Sequence, residues 1–276
     1  MRGVAGFFAL IRLSQAPYQQ GQAPGDSGLW REAFRVHSYD ADFQMRATGE
    51  AICRAFFEAA WNHAEHLGIG HAELAKRNKL WVLGRLLLQI GRSLRWGESG
   101  ELTTWPRGTS GAFALRDFEI FDNTATPLAA GTSSWLVLEA STHRPQRLDK
   151  LLQQIRTPVT RMALGREASK LTGTTGFAAT VVREVRYSDV DINQHVNSAR
   201  YIGWLLDSYP REFYQNHALR SLEVNYLAET RWPDSVSIRS QTLSNDKIAH
   251  SIVKSSGQEV CRAELEWTVV YEQSSN

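Results

Sequence analysis

The stretch Ser38-Tyr39-Asp40-Ala41-Asp42 returns later in the chain as Tyr187-Ser188-Asp189-Val190-Asp191, and each copy runs into a helical pattern. After the first copy, Ile52, Phe56, Ala59, Ala60, His63 and Leu67 recur at three- and four-residue spacing, and Gly68 supplies a stop. After the second, Val196, Ala199, Gly203 and Leu206 do the same, with Pro210 just beyond. Strand-like runs follow each helix. Leu80-Trp81-Val82-Leu83 leads to Arg95-Trp96-Gly97-Glu98, and residues 222–227 lead to Arg231-Trp232-Pro233-Asp234. Each half then closes on a hairpin-like pair. One runs from Ala112 through Asp122-Asn123 to Ser134-Trp135-Leu136-Val137-Leu138, the other from Lys247 through Ser255-Ser256-Gly257 to the last strand. In that strand Cys261, Ala263, Leu265, Trp267, Val269 and Tyr271 share one face by strict alternation. Trp96 matches Trp232, and Trp135 matches Trp267, so four of the nine tryptophans mark equivalent places in two copies of one unit.

A helix laid on one face of an antiparallel meander is an α+β arrangement. The pattern predicts two such units, at 31–142 and 178–272, after an N-terminal extension at 1–30 that is rich in Gln, Gly, Pro and Ser towards its end and reads as disordered. The joining segment, 143–177, is basic, with Arg144, Arg147, Lys150, Arg156, Arg161, Arg166 and Lys170 against Asp149 and Glu167. It reads first as a solvated linker crossing the back of the sheets and, more sharply, as a surface for an acidic partner.

Composition narrows the function. In 276 residues, 42% hydrophobic and 22% charged is ordinary for a folded chain. Thirty-one basic against 29 acidic residues, a formal charge of +2, speaks against a nucleic-acid partner. No apolar run approaches the ~18 residues that cross a membrane. The apolar run at 4–11 is followed by Arg12 without a clean cleavage site, so it reads as part of the extension. Two cysteines, Cys53 and Cys261, make no disulfide framework and point to a reducing cytoplasm. His63, His66 and His71 lack the carboxylate or cysteine spacing of a metal site, so neither a metal nor a cofactor is expected. Gly-x-Ser-x-Gly, the nucleophile turn of α/β-hydrolases, is absent.

The chemistry concentrates in Arg186-Tyr-Ser-Asp-Val-Asp-Ile-Asn-Gln-His-Val-Asn-Ser-Ala-Arg-Tyr-Ile-Gly-Trp204. Asp191, Asn193 and His195 alternate just before a helix start near Asn197. A helix N-terminus offers unpaired N–H groups and partial positive charge to an oxyanion, and the three side chains add an acceptor, a donor and a proton carrier. Each residue alone suits a cap or a core position; the set together points to a reacting site.

This stretch resembles the acyl-acyl-carrier-protein (acyl-ACP) thioesterases, whose second domain carries Asp-x-Asp-x-Asn-x-His-Val-Asn-Asn followed by Tyr-Ile-Gly-Trp. The match is Asp189 to His195, Val196-Asn197 and Tyr201-Ile202-Gly203-Trp204. Trp61-Asn62-His63, Leu80-Trp81-Val82 with Arg85, Trp96-Gly97 and Ser133-Ser134-Trp135 are similar to the family's first domain, so the resemblance covers about 32–272. It implies a double hotdog, two tandem helix-wrapped antiparallel sheets in one chain, and a single site built from Asp191, Asn193, His195 and the downstream Glu229. Thr230 stands where plant members commonly have Cys, Ser198 replaces the second Asn, and Asp207 stands where Glu is usual. The first half has Phe43, Gln44 and Met45 after Asp42 and no Asn-x-His, which leaves it for packing and for an acyl pocket.

The implied reaction is hydrolysis of a fatty acyl thioester on acyl carrier protein, releasing free fatty acid and terminating chain synthesis. Glu229 would activate water, Asn193 and the helix N–H groups would hold the water or carbonyl oxygen, His195 would protonate the thiolate, and Asp191 would orient its neighbours; base and orienter can be exchanged, and a covalent carboxylate route stays open. An acidic carrier would meet the basic linker together with Arg183, Arg186, Arg200, Arg211 and Arg220. Two rivals remain: a hotdog hydrolase of acyl-CoA, whose members usually carry Gly where this chain has Gln194, and a non-catalytic acyl-binding double hotdog. A homodimer stays an open option. The short lead-in is unlike the plastid transit peptide of plant relatives and favours the bacterial cytoplasm.

Overall fold

The computed structural model describes residues 28–148, 159 and 161–270. The expected extension up to residue 27, residues 149–158 and 160 of the joining segment, and the tail from Tyr271 lie outside the described residues. The first half contains β1 (Trp30–Arg35), α1 (Gly49–His66), α2 (His71–Ala75), β2 (Lys79–Ile90), β3 (Ser99–Ser110), β4 (Phe113–Asp122) and β5 (Pro127–Glu139). The second contains β6 (Ala179–Glu184), α3 (Ser198–Leu206), α4 (Arg211–Asn216), β7 (His217–Tyr226), β8 (Ser235–Thr242), β9 (Lys247–Lys254) and β10 (Glu259–Val269).

All ten strands form one antiparallel sheet in the order β1-β3-β4-β5-β2-β7-β10-β9-β8-β6. Read from either edge the order is the same, with β6 matching β1, β8 matching β3, β9 matching β4, β10 matching β5 and β7 matching β2. The two sheets expected from the repeat are thus joined edge to edge, where Arg85, Leu86, Leu87, Leu88 and Gln89 of β2 pair with Asn225, Val224, Glu223, Leu222 and Ser221 of β7. The pairing removes two strand edges that would otherwise present unpaired N–H and C=O groups. The matched tryptophans fall as the repeat predicts. Trp135 and Trp267 lie on the equivalent strands β5 and β10, and Trp96 and Trp232 on the turns that follow β2 and β7.

On one face of the sheet Leu86, Leu88, Leu222 and Val224 are fully buried beneath α1 and α3. Thr48 starts α1 by accepting from Ala51 N at 3.1 Å, and Asn197 starts α3 by accepting from Ala199 N at 2.9 Å. The α1 stripe of Ile52, Phe56, Ala59, Ala60 and His63 is buried as its spacing predicts, each large apolar member contributing ~1.5–3 kcal/mol relative to exposure. On β10 the alternation holds for Cys261, Ala263, Leu265 and Trp267, with a bulge between Glu266 and Trp267. It ends at Val269, which is 55% exposed.

Within the described part of the joining segment, residues 161–171 cross the other face of the sheet, as expected, and are anchored on it by a few buried side chains. Leu164 and Ala168 bury against Leu87. Arg166 binds Glu223 with two hydrogen bonds, of 2.9 and 2.7 Å; Arg161 pairs with Glu119 at 2.6 Å; and the Asn225 side chain accepts from Leu171 N and donates to Ser169 O, both at 2.9 Å. These two arginines of the basic segment therefore neutralise sheet carboxylates.

Candidate active site

The loop between β6 and α3 is fixed by backbone-directed carboxylates. Buried Asp189 accepts from Arg186 N at 2.8 Å and from Arg200 Nε at 3.0 Å, while its carbonyl accepts from Asn197 N at 2.9 Å. Asp191 Oδ1 accepts from Asn193 N at 2.8 Å, and Asp191 N donates to the His195 carbonyl at 2.9 Å. The turn needs a positive φ at Gln194, +63°. Val196 N then donates to the Thr230 carbonyl at 2.8 Å, which clamps the loop to the segment after β7 that carries Glu229.

The clamp brings His195 Nε2 within 3.1 Å of Glu229 Oε2, with both side chains partly exposed. Arg231 Nη2 reaches the same carboxylate oxygen at 3.2 Å. Asp191, Asn193, His195 and Glu229 all line one cavity of about 1010 Å³. That cavity continues into the first half between Phe57, Trp61, Ile69, Leu80, Trp81 and Trp135. At its second-half wall, burial pushes the Tyr201 and Tyr226 phenols above their ordinary range, so both stay neutral; Tyr226 donates to the Ser198 carbonyl at 2.9 Å.

Asp191 holds the loop backbone and makes no hydrogen bond to the imidazole among the described residues. Ala199 N is taken by the Asn197 cap, so the helix start offers Ser198 N, for which no partner is found among the described residues. Arg231 joins the site from two residues beyond Glu229, and no spacing pattern in the sequence marks it. Of the cationic contacts expected for a carrier, Arg200 is engaged with Glu50 (2.8 Å) and Asp189, and Arg183 with Asp207 (2.9 Å). Cys53 and Cys261 are both free and buried, and burial pushes both thiols up. Among the described residues no group of three His, Cys, Asp or Glu side chains is placed to hold a metal ion.

The first-half loop repeats the turn with other side chains. Asp42 Oδ1 accepts from Gln44 N at 2.8 Å, and Met45 has φ +61°. Arg46 stands where His195 stands in the second half. It binds Asp42, the Gln44 side chain and the carbonyls of Tyr214 (2.9 Å) and His217 (3.1 Å). The cavity beside it is smaller, about 410 Å³.

Residues 28–155 match the family model of the acyl-ACP thioesterase N-terminal domain, and residues 179–269 that of the C-terminal domain. The chain belongs to the acyl-ACP thioesterase family. A chloroplastic acyl-[acyl-carrier-protein] hydrolase of Cuphea viscosissima is 28% identical over 261 residues, 88% of this chain and 63% of the relative. A chloroplastic palmitoyl-acyl carrier protein thioesterase of Arabidopsis thaliana is 28% identical over 279 residues, 91% of this chain and 67% of the relative. The chain thus spans about three fifths to two thirds of the length of these plant proteins. An acyl-ACP thioesterase structure from Bacteroides thetaiotaomicron superposes with a TM-score of 0.79 at 26% identity, covering 88% of this family member and 99% of that chain. The fold is the α+β double hotdog of the family, its two sheets fused through β2 and β7.

Proposed function

We propose that this chain hydrolyses the thioester of a fatty acyl group carried on acyl carrier protein, releasing the fatty acid and the carrier thiol. The observation that carries this is the His195–Glu229 pair, 3.1 Å apart, at the wall of a cavity whose continuation into the first half is lined largely by apolar side chains. The acyl chain lies along those apolar walls and its thioester carbonyl faces the pair. Glu229 takes a proton from water as the water oxygen attacks the carbonyl carbon. Asn193 and Ser198 N–H stand on the same cavity wall and donate to the developing oxyanion. The intermediate collapses, the C–S bond breaks, and the thiolate takes a proton delivered through His195, which shares a hydrogen bond with Glu229. Arg231, 3.2 Å from the same oxygen, aims the Glu229 carboxylate. Asp191 holds the turn that presents His195. A cytoplasmic setting fits the two buried, unpaired thiols.

Purified protein is to be incubated with acyl-ACP and acyl-CoA of matched chain lengths and the released thiol measured. The expected result is turnover of acyl-ACP, falling by about 10²-fold or more in Glu229→Gln and in His195→Ala with an unchanged thermal midpoint. Near-wild-type turnover by both variants overturns the site. A clear preference for acyl-CoA moves the reading to the CoA hydrolases, and no thiol from either substrate moves it to an acyl-binding protein.

A further inference from the structure

Arg116, on β4, lines the same cavity as His195 and Glu229 but stands well away from them. It pairs with Ser133 of β5, which pairs with Leu86 of β2, which pairs with Val224 of β7. Strands lie ~4.8 Å apart, so Arg116 is ~14 Å across the sheet from the strand that leads to Glu229. It shares a row with Leu86 and Val224 and therefore points to the helix side.

Arg116 is 8% exposed. Its Nη1 lies 3.0 Å from His63 Nδ1 and 3.2 Å from Thr104 Oγ1. His63 is fully buried and stacked on Trp30, and with Nδ1 accepting from a cation it is the neutral tautomer protonated at Nε2. The other two nitrogens of Arg116 make no hydrogen bond among the described residues, and no carboxylate lies within ion-pair reach there. Comparably buried guanidiniums in the same chain each have one: Arg46 has Asp42 at 3.3 Å and Arg107 has Asp117 at 3.1 Å. Asp117 and Glu119, beside Arg116 in sequence, point to the opposite face, where Arg107 and Arg161 take them. A desolvated charge is costly unless paired, and here the fold supplies only neutral partners. The remaining open side is the cavity, which Trp61, Leu80, Trp81 and Trp135 also line.

We infer that the acyl group taken by this cavity is oxygenated, bearing a hydroxyl, oxo or carboxylate oxygen remote from the thioester, and that the unpartnered N–H groups of Arg116 select it. The inference rests on the thioester hydrolysis proposed above and names its substrate class. Methylenes pack on the tryptophan-rich walls, and the distal oxygen accepts from the guanidinium. A plain alkyl chain leaves those donors unmatched, so it is the poorer ligand.

The test compares acyl-ACP thioesters of equal length that are unsubstituted, distally hydroxylated or distally carboxylated, with wild type, Arg116→Lys and Arg116→Met. The ratio of kcat/KM for an oxygenated substrate over the unsubstituted one is expected to fall about tenfold or more in Arg116→Met and less in Arg116→Lys. A wild type that hydrolyses the unsubstituted thioester but neither oxygenated one overturns the inference, as does a ratio that Arg116→Met leaves unmoved. Release of no thiol from any substrate overturns the hydrolytic reading instead. In that case, or if Arg116→Met does not fold, quenching of the cavity tryptophans in the wild type decides. Tighter binding of a hydroxy or dicarboxylic fatty acid than of the unsubstituted acid of equal length supports the role of Arg116, and equal or weaker binding refutes it.

Discussion

Lowering the pH from 8 to 5 should remove much of this fold's stability through two histidines remote from the proposed chemistry. His63 is buried and its pKa is held down to about 3, from an ordinary 6.5, by burial first and by the Arg116 charge second. His250 is held down to about 4 by burial, between the Tyr209 hydroxyl at 2.6 Å from Nε2 and the Ser240 hydroxyl at 3.0 Å from Nδ1. Both bases are depressed in the folded state, so the unfolded chain takes up their protons first. The stability they contribute is fully present above pH 6.5 and is lost as pH falls from there towards the folded values. At pH 5 both are still neutral in the fold, so each costs ~1.4 kcal/mol per pH unit over 1.5 units, or ~2 kcal/mol, and the pair ~4 kcal/mol. That is a large share of the ~5–15 kcal/mol that holds an ordinary domain. Carboxylates held low by partners, such as Glu223 beside Arg166, begin to count only near and below their ordinary 4.5. Urea unfolding followed by tryptophan fluorescence at pH 8, 6.5 and 5 measures the loss. His250→Gln keeps hydrogen-bonding groups without a titrating ring, and it should halve the fall between pH 8 and 5 whatever it costs at pH 8. A free energy flat across that range, or a slope unchanged in His250→Gln, would refute the claim that these rings are kept neutral.

Two further substitutions probe the packing that places the site. Gly131→Ala puts a methyl 2.6 Å from the Phe56 ring, itself stacked on Phe118 at 4.6 Å, and should cost ~1–3 kcal/mol in urea unfolding; a change under ~0.5 kcal/mol would mean that the α1–sheet contact is looser than these distances imply. Arg166→Ala leaves the Glu223 carboxylate, with 7% of its side chain exposed, without its cation. Because Arg166 is half exposed, the ~3–5 kcal/mol typical of breaking a fully buried pair is discounted to ~1–3 kcal/mol. The penalty should shrink as Glu223 protonates below its ordinary 4.5, and a penalty that does not change with pH would exclude the charge as its cause.

Periodicity was enough to read the repeat, the two helices on one face and the loop that precedes α3, because each depends on residues a few places apart. The fusion of the two sheets depends on which strand edges remain free, and no local pattern encodes that. The run Leu86-Leu87-Leu88, apolar on both faces of β2, is the trace it leaves, since only a strand covered on both sides tolerates it. The joining segment misled by charge. Its five arginines and two lysines set its charge, while Leu164, Ala168 and Leu171 seat it on the sheet. Arg116 was invisible because its meaning is an absence. The residues facing it, Thr104 and His63, are 12 and 53 positions away, and only their placement shows that none is a carboxylate. Glu229 was legible only through resemblance, since a lone acid after a strand has no spacing signature. Its contact with His195 depends on the Val196–Thr230 backbone bond.

The duplicated loop separates what scaffolding requires from what chemistry requires. Asp42 and Asp191 do the same thing: each accepts the N–H of the residue two places on at 2.8 Å, and each loop then passes through a positive φ, +61° at Met45 and +63° at Gln194. A feature kept in both loops is needed to make the turn. The halves differ at the next positions. Arg46 replaces His195 and binds the carbonyls of Tyr214 and His217, so the first loop braces the second half against the first. Counting back from the matched Trp96 and Trp232, Ser93 stands in the place of Glu229, and it lines the smaller cavity as Glu229 lines the larger. These two positions carry an arginine and a serine, so the first loop repeats no imidazole–carboxylate pair of its own; the His217 and Asp207 side chains on that cavity come from the second half. Under the proposed hydrolysis the reacting pair is therefore His195 with Glu229, and Asp191 acts through the backbone it holds. Loss of turnover on replacing Asp191 is then no sign of proton transfer at that carboxylate, because the same carboxylate holds the same turn at Asp42, where Arg46 and Ser93 stand in place of the pair.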